Sequence, residues 1–234
     1  MGTRARTSGT GRLEAFSDAV LAIVLTLLVL DLLPDGARTP AQLLEAWPTY
    51  LAFLAAFLTV GVVWLNHREA VARIRAASPV VQVLNLGVLL GASLMPWPTA
   101  LISAALERGD ASAQIAAIFV FAVVTVIISV PWLALDLHLI RHPALLRSDE
   151  DAAWMRAHAR ASVATIAAAP VSIGLAFVSP IASLVLYLVV VVVFFVVRLR
   201  EEVVEDGGGE GPVAEDADAG GPNTDPGTDL DRTL

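Results

Sequence analysis

Two adjacent polar residues, Ser17 and Asp18, interrupt an apolar run that extends from about residue 13 to residue 33. An ionisable group in such a run is costly to bury and by default suggests a functional site. Trp64 and His67 end the next apolar run and share one helical face, because they are three residues apart. Their ring N–H groups can donate to a carboxylate. The sequence therefore predicts a buried network that consists of Arg12, Ser17, Asp18, Trp64 and His67.

The same run has a second face, which is apolar except for one hydroxyl. With about 100° per residue, Thr26, Leu27 and Leu30 lie within about 60° of Ile23 on a helical wheel. Asp18 lies about 140° away from Ile23, nearly on the opposite side. We therefore expect one face to meet a pore or a partner, and the other to be buried. Thr26 has an alternative role, since a Thr hydroxyl can bond its own helix backbone.

Apolar windows long enough to cross a bilayer recur along the chain. The chain has 234 residues, 56% of them apolar, and a mean hydropathy of +0.72. A spanning helix needs about 20 apolar residues, and Pro180 divides the longest window. The sequence predicts an all-α integral membrane protein with six transmembrane helices, at roughly 13–33, 45–67, 79–105, 112–137, 158–177 and 180–198. Pro96 and Pro98 should kink the third of these helices.

Arginine placement predicts the orientation of these helices. Arg residues cluster before the first helix, after the second, between the fourth and fifth, and after the sixth. The opposite side has only Arg38 and Arg108. Because cytoplasmic loops carry the excess of positive charge, both termini should be cytoplasmic. We expect a multi-pass protein of the cell membrane, the inner membrane of a bacterium.

Composition divides the chain into three regions. Residues 201–234 hold 11 acidic residues and one Arg, whereas residues 1–200 hold 12 acidic residues and 14 Arg, a balance of +2. We expect an N-terminal cytoplasmic arm (1–11), a transmembrane domain (12–200) and an acidic disordered tail (201–234). This charge placement excludes nucleic-acid binding. The lack of Cys excludes thiolate metal sites, and Asp136, His138, His142 and His158 are interpreted as chance surface groups, not metal ligands.

Four motifs in order resemble the transmembrane protein 175 family of potassium channels. The first is R-x-x-x-F-S-D, formed by Arg12, Phe16, Ser17 and Asp18. A-V-x-A-I-x-x-T-L-L-V-L follows it, then W-x-x-H at Trp64 and His67, and S-L-x-P-x-P-T from Ser93 to Thr99. The resemblance covers about residues 12–200.

This resemblance implies a potassium-selective cation channel assembled as a homotetramer, with the first helix of each subunit lining the pore. Ile23 would form a hydrophobic constriction that Leu27 and Leu30 extend outward, and Thr26 would present hydroxyls near the ion path. Arg12, Phe16, Ser17, Asp18, Trp64 and His67 would hold the first helix in position. The implied partners are the lipid bilayer and monovalent cations, and no cofactor is expected. Independently of the family, Asp31 could form an outer acidic ring, or be a solvated helix end.

Two other function classes, a secondary transporter and a membrane enzyme, are alternatives to a channel. A proton-coupled secondary transporter would need intramembrane charges in several helices, often in paired repeats, and the sequence has one clear example, Asp18. A membrane enzyme would need convergent catalytic groups, but the side chains of Ser17 and Asp18 diverge by about 100° on a helix. That geometry suits a structural network better than a catalytic triad, so no enzyme activity is expected.

Overall fold

A computed structural model describes residues 9–32 and 39–207 of the chain, and these residues are almost entirely helical. The α-helices are α1 (Gly9–Leu28), α2 (Pro40–Glu45), α3 (Trp47–Arg73), α4 (Pro79–Ser93), α5 (Pro96–Arg108), α6 (Ala111–Arg141), α7 (Asp149–Ala176) and α8 (Pro180–Gly207). Two short 3₁₀ helices, Val29–Leu32 and Pro143–Leu145, follow α1 and α6. The protein is therefore all-α in the part of the chain that the structure describes.

Four helical segments within the described residues are long and apolar enough to cross a membrane. They are Thr49–Arg73, Pro79–Arg108, Ala111–Arg141 and Asp149–Ala176. Pro180–Val193 is a shorter apolar helix, and α1 carries Arg12, Glu14 and Asp18 within 20 residues. The chain is thus a multi-pass membrane protein, with four candidate spans where the sequence predicts six.

Prolines set two of the helix boundaries. The predicted kink at Pro96 is confirmed, since α4 ends at Ser93 and α5 begins at Pro96. The predicted division at Pro180 is also confirmed, because α7 ends at Ala176 and α8 begins at Pro180. In both places a proline occupies the first helical position, where its missing N–H costs no helical hydrogen bond.

The expected domain boundaries fall partly outside the described residues. Residues 1–8 of the expected N-terminal arm and residues 208–234 of the expected tail are not described. Within the described part, α1 already begins at Gly9 and α8 continues to Gly207, beyond the expected boundary at residue 200. The described residues up to Arg198 belong to one compact unit, and those from Leu199 onward belong to a second.

Helix α6 is the centre of the bundle, with α4, α5 and α7 packed against it, while α1 lies against α3 and α4. Small residues allow the closest of these approaches. A Cβ added to Gly91 on α4 would come within 2.9 Å of the backbone nitrogen of Ile128 on α6. Ala52, Ala55 and Ala56 on α3 are also fully buried. The core therefore has little room for larger side chains at these crossings.

The α3–α4 connection and the α6–α7 connection are joined by backbone hydrogen bonds. The backbone nitrogen of Arg75 donates to the carbonyl of Leu145 at 2.8 Å, and that of Arg147 donates to the carbonyl of Arg73 at 3.1 Å. The guanidinium of Arg73 also stacks 4.5 Å from the centre of the Trp154 ring. These contacts fix the α3–α4 connection against the start of α7.

Candidate functional site

Helix α1 has a buried face and an exposed face within one chain. Ser17, Leu21, Val24 and Leu28 are buried, and their spacing of four, three and four residues follows one side of an α-helix. The other side is exposed, with Ile23 at 59%. We call this surface the exposed face of α1; its members are Arg12, Phe16, Ile23, Thr26, Leu27 and Leu30. Large apolar side chains exposed as one continuous stripe indicate a surface that meets something other than its own chain.

The single hydroxyl on this face belongs to Thr26. Its Oγ1 donates to the carbonyl of Ile23 at 2.8 Å, which is the backbone bond that the sequence left open as an alternative. Since the hydrogen is used within the helix, the exposed oxygen has only lone pairs to offer a ligand. An oxygen of this kind can accept from water or contact a cation.

A chain of three polar side chains lies on the buried face. The amide nitrogen of Asn85 on α4 donates to the Ser17 hydroxyl at 3.0 Å, and Ser17 donates in turn to the carbonyl of Leu13 at 2.9 Å. Nε2 of His67 on α3 lies 2.7 Å from the amide oxygen of Asn85. Because an amide oxygen can only accept, His67 must carry a proton on Nε2. We call these residues the Ser17–Asn85–His67 chain.

Asp18 takes part in a separate contact. The indole nitrogen of Trp64 donates to its carboxylate at 3.0 Å. The guanidinium of Arg68 lies 5.6 Å from the centre of the same Trp64 ring, within the range of a cation–π interaction. Asp18 and Trp64 are partly exposed, unlike the buried Ser17–Asn85–His67 chain. The two contacts tie α1 to α3 and α4 at one end of the membrane-crossing bundle.

The predicted network of Arg12, Ser17, Asp18, Trp64 and His67 thus appears as two groups. Trp64 contacts Asp18 as expected, but His67 bonds to Asn85. Arg12 and Phe16 lie on the exposed face of α1, with Phe16 52% exposed. The side chain of Asp31 lies outside the described part of the structure.

Sequence reasoning missed Asn85, which joins α4 to α1 and α3. The signal was present, since an amide stands in the middle of an uncharged apolar window. Polar side chains at such positions commonly hydrogen-bond across helices in membranes. This rule predicts that Asn85 forms a hydrogen bond to another helix, but it does not predict which residue is the partner.

A second buried polar pair joins α6 to α7. Nδ1 of His158 lies 2.7 Å from a carboxylate oxygen of Asp136, and these residues are 3% and 0% exposed. The interpretation of both as chance surface groups is wrong, because the facing helices and the rings of Trp132 and Trp154 enclose them. No group of three potential metal ligands occurs among the described residues.

Comparison with known proteins identifies the family of this chain. A family model described as "Endosomal/lysosomal potassium channel TMEM175" matches residues 12–96, which include α1, α3 and α4. A protein of Streptomyces collinus named as a potassium channel is 37% identical over 174 residues, which cover 73% of this chain and 84% of the relative. The chain belongs to the TMEM175 family.

One solved structure and one vertebrate relative also resemble this TMEM175 family member. A crystal structure titled "lysosomal potassium-selective channel TMEM175 homolog from Chamaesiphon Minutus" matches with a TM-score of 0.66 and 28% identity, covering 81% of this chain and 97% of that one. The human protein named endosomal/lysosomal proton channel TMEM175 is 36% identical over 86 residues, 32% of this chain and 17% of its own length. The TMEM175 family match thus covers both polar contacts of α1 and most of its exposed face.

Proposed function

We propose that this chain is the subunit of a potassium channel whose pore is lined by the exposed face of α1 from several copies. The observation that carries the proposal is the continuous exposed stripe around Ile23, which its own chain leaves uncovered. The names of the bacterial relatives support potassium as the transported ion. A channel is not an enzyme, and the mechanism includes no catalytic step and no cofactor beyond the permeant ion.

The proposed assembly is a homotetramer in a bacterial inner membrane, with six transmembrane helices per chain and both termini cytoplasmic. Helix α1 has 20 residues, or about 30 Å of helix, which matches a hydrocarbon core of about 30 Å. Helix α8 would supply the sixth span. Packing of α1 against the α1 helices of the other subunits would cover the exposed face of α1.

In this assembly Ile23 forms the constriction, and Leu27 and Leu30 extend it. A ring of aliphatic side chains offers a cation no ligands, so it closes the path by excluding water. The Thr26 oxygen, with its hydrogen given to Ile23, presents acceptor lone pairs one turn from that ring. Asp31, at the outer end, would concentrate cations. Opening requires α1 to move enough for the ring to admit a hydrated ion.

The contacts on the other side of α1 hold the constriction in place. Ser17 connects α1 to α4 through Asn85, which also bonds to His67, and Asp18 connects α1 to α3 through Trp64. Arg12 and Phe16 lie on the exposed face, so they would join this positioning network only through contacts with a neighbouring subunit.

A proton-coupled secondary transporter is the second candidate. The observation that favours it is the Asp136–His158 pair, which adds a buried acid to the partly exposed Asp18. Buried acids paired with His occur in proton relays. A transporter predicts saturable flux coupled to protons, whereas a channel predicts passive flux down the potassium gradient.

Ion flux into liposomes that contain the purified chain tests the proposal. We expect passive K⁺ flux greater than Na⁺ flux, which Ile23→Ala and Ile23→Asn increase or make less selective. Val83→Ala on α4 is the matched control, because Val83 is exposed and apolar but lies outside the proposed pore. Flux that is absent in all variants, or that Ile23 and Val83 substitutions affect equally, would overturn it. Saturable, proton-coupled uptake would favour the transporter.

A further inference from the structure

A cavity of about 450 Å³ lies inside one chain, between α3, α6, α7 and α8. Its volume is within the range of small-molecule sites. Ala168 and Val171 on α7 and Leu186 on α8 line it and are exposed, so the cavity opens between these two helices. It contains none of the residues on the exposed face of α1 and is therefore separate from the proposed pore.

Four of the hydroxyl groups around this cavity have given their hydrogens to their own helices. Thr59 donates to a backbone carbonyl at 2.7 Å, Thr125 at 2.9 Å, Ser129 at 2.8 Å and Thr165 at 3.0 Å. Since the hydrogen of Thr125 is used, the Tyr187 hydroxyl 2.8 Å away donates to it. These oxygens retain only lone pairs, so the polar part of the lining is made mainly of acceptors.

Two further groups at the cavity add to this imbalance. The amide oxygen of Asn66 is buried and has no hydrogen-bond partner among the described residues. His158 also lines the cavity, and its Nδ1 is held by the buried carboxylate of Asp136. The ring of His158 is thus backed by an acidic side chain.

No Arg lines the cavity among the described residues, and the sequence contains no Lys. The face of an indole ring attracts cations, and Trp132 is part of the wall. The remaining wall is aliphatic, formed by Ala and Val side chains of α3, α7 and α8. An occupant that fits has a head with several hydrogen-bond donors, such as an ammonium group, and an apolar body, because the acceptors favour the first and the wall favours the second.

We propose that this cavity binds a protonated lipophilic amine that enters from the bilayer between α7 and α8. The ammonium group donates to the amide oxygen of Asn66 and to acceptor hydroxyls of the cavity, and the alkyl chain lies along α7. A neutral alcohol of equal length fits the same wall but has one donor hydrogen where the ammonium has three, and so binds more weakly. Binding does not require the proposed channel function.

The test is photoaffinity labelling of the purified full chain with a diazirine-bearing octylammonium. We expect labelled peptides from α3, α6, α7 or α8, with labelling competed by excess octylammonium. Asn66→Leu should weaken competition about tenfold, which corresponds to the loss of one hydrogen bond to a charged group. The corresponding diazirine-bearing octanol should label the same peptides less and be less sensitive to Asn66→Leu.

Two adjacent exposed positions provide the matched control. Ala168 lines the cavity and Ala167 does not, although both are exposed on α7. Ala168→Phe should reduce labelling by filling the opening, whereas Ala167→Phe should leave it unchanged, with thermal unfolding checking that both variants fold. Equal labelling of the two variants, equal labelling by the amine and the alcohol, or labelling of other helices only would each overturn the proposal.

Discussion

The amide nitrogen of Asn85 donates a hydrogen bond of 3.0 Å to the hydroxyl of Ser17, across 68 residues of sequence. Both side chains are buried, at the place where α4 meets α1. The other end of the same amide accepts from His67 on α3. One side chain therefore satisfies polar groups on two other helices, which lipid could not do.

Replacement of Asn85 tests how much its hydrogen bonds to Ser17 and His67 contribute to stability. Asn85→Leu keeps the approximate volume but removes a donor and an acceptor, so it leaves His67 with a buried, unpaired N–H. We expect a loss of about 1–3 kcal/mol in the free energy of unfolding, the cost of an unsatisfied buried group. Thermal or denaturant unfolding in detergent would measure it. Gln82→Leu, an amide removed at an exposed position of the same helix, should change stability much less. Similar losses in the two variants would show that the bridge has no special role.

The Trp64–Asp18 contact can be separated from ring packing by a double-mutant cycle. Trp64→Phe keeps an aromatic ring but lacks the indole N–H, and Asp18→Ala removes the acceptor. We expect a coupling energy of about 1 kcal/mol between the two sites, because the bond joins a donor to a carboxylate at a partly exposed position. Unfolding of the wild type, both single variants and the double variant gives this number. Simple additivity of the two substitutions would contradict an energetic role for the contact.

Two glycines in membrane-crossing helices should respond oppositely to alanine. A Cβ at Gly91 would lie 2.9 Å from the backbone nitrogen of Ile128, whereas nothing lies within 4 Å of a Cβ at Gly61. Gly91→Ala must therefore push α4 away from α6, and we expect a loss of about 1–3 kcal/mol, typical of overpacking. Gly61→Ala should be neutral, or stabilising by up to about 1 kcal/mol through helix propensity. Unfolding curves of the two variants make the comparison, and the reverse order would show that α4 and α6 do not cross at Gly91.

The turn between α5 and α6 contains a pH-sensitive cap. Asp110 accepts from the Ser112 hydroxyl and from the backbone N–H groups of Ser112 and Ala113, and these bonds lower the pKa of the Asp110 carboxyl. Because folding favours the charged form, its contribution is present above the ordinary pKa of about 3.9. It is lost as the pH falls through the lower folded pKa.

A substitution that removes the charge of Asp110 tests the direction of this pH dependence. Asp110→Asn retains an N-cap oxygen but carries no charge. We expect the variant to melt at a lower temperature than the wild type at neutral pH, and the difference to shrink as the pH is lowered through the folded pKa. A difference that grows on acidification would contradict the sign. Ser112→Ala should reduce the effect, since the Ser112 hydroxyl is the main cause of the lowered pKa.

The sequence by itself determined which segments are helical, and where prolines end them. Pro180 was predicted as a boundary and is one, whereas the helix predicted to kink at Pro96 and Pro98 is interrupted before Pro96, because a proline lacks the N–H that a helix interior needs. The two faces of α1 also followed from the sequence. Its apolar and polar residues repeat at the helical period, so Ile23 and Ser17 necessarily lie on different sides.

Only the tertiary structure decided which polar groups meet. Trp64 and His67 share a helical face in sequence, yet the first contacts Asp18 and the second contacts Asn85, since small rotations of α3 against α1 and α4 select the partner. Asp136 could not be placed because α6 is apolar around its whole circumference, and such a helix gives no periodicity that identifies its inner face. The burial of Asp136 against His158 depends on how α7 packs over α6. Helical period is a property of one segment, whereas a side-chain contact depends on the depth and rotation of two.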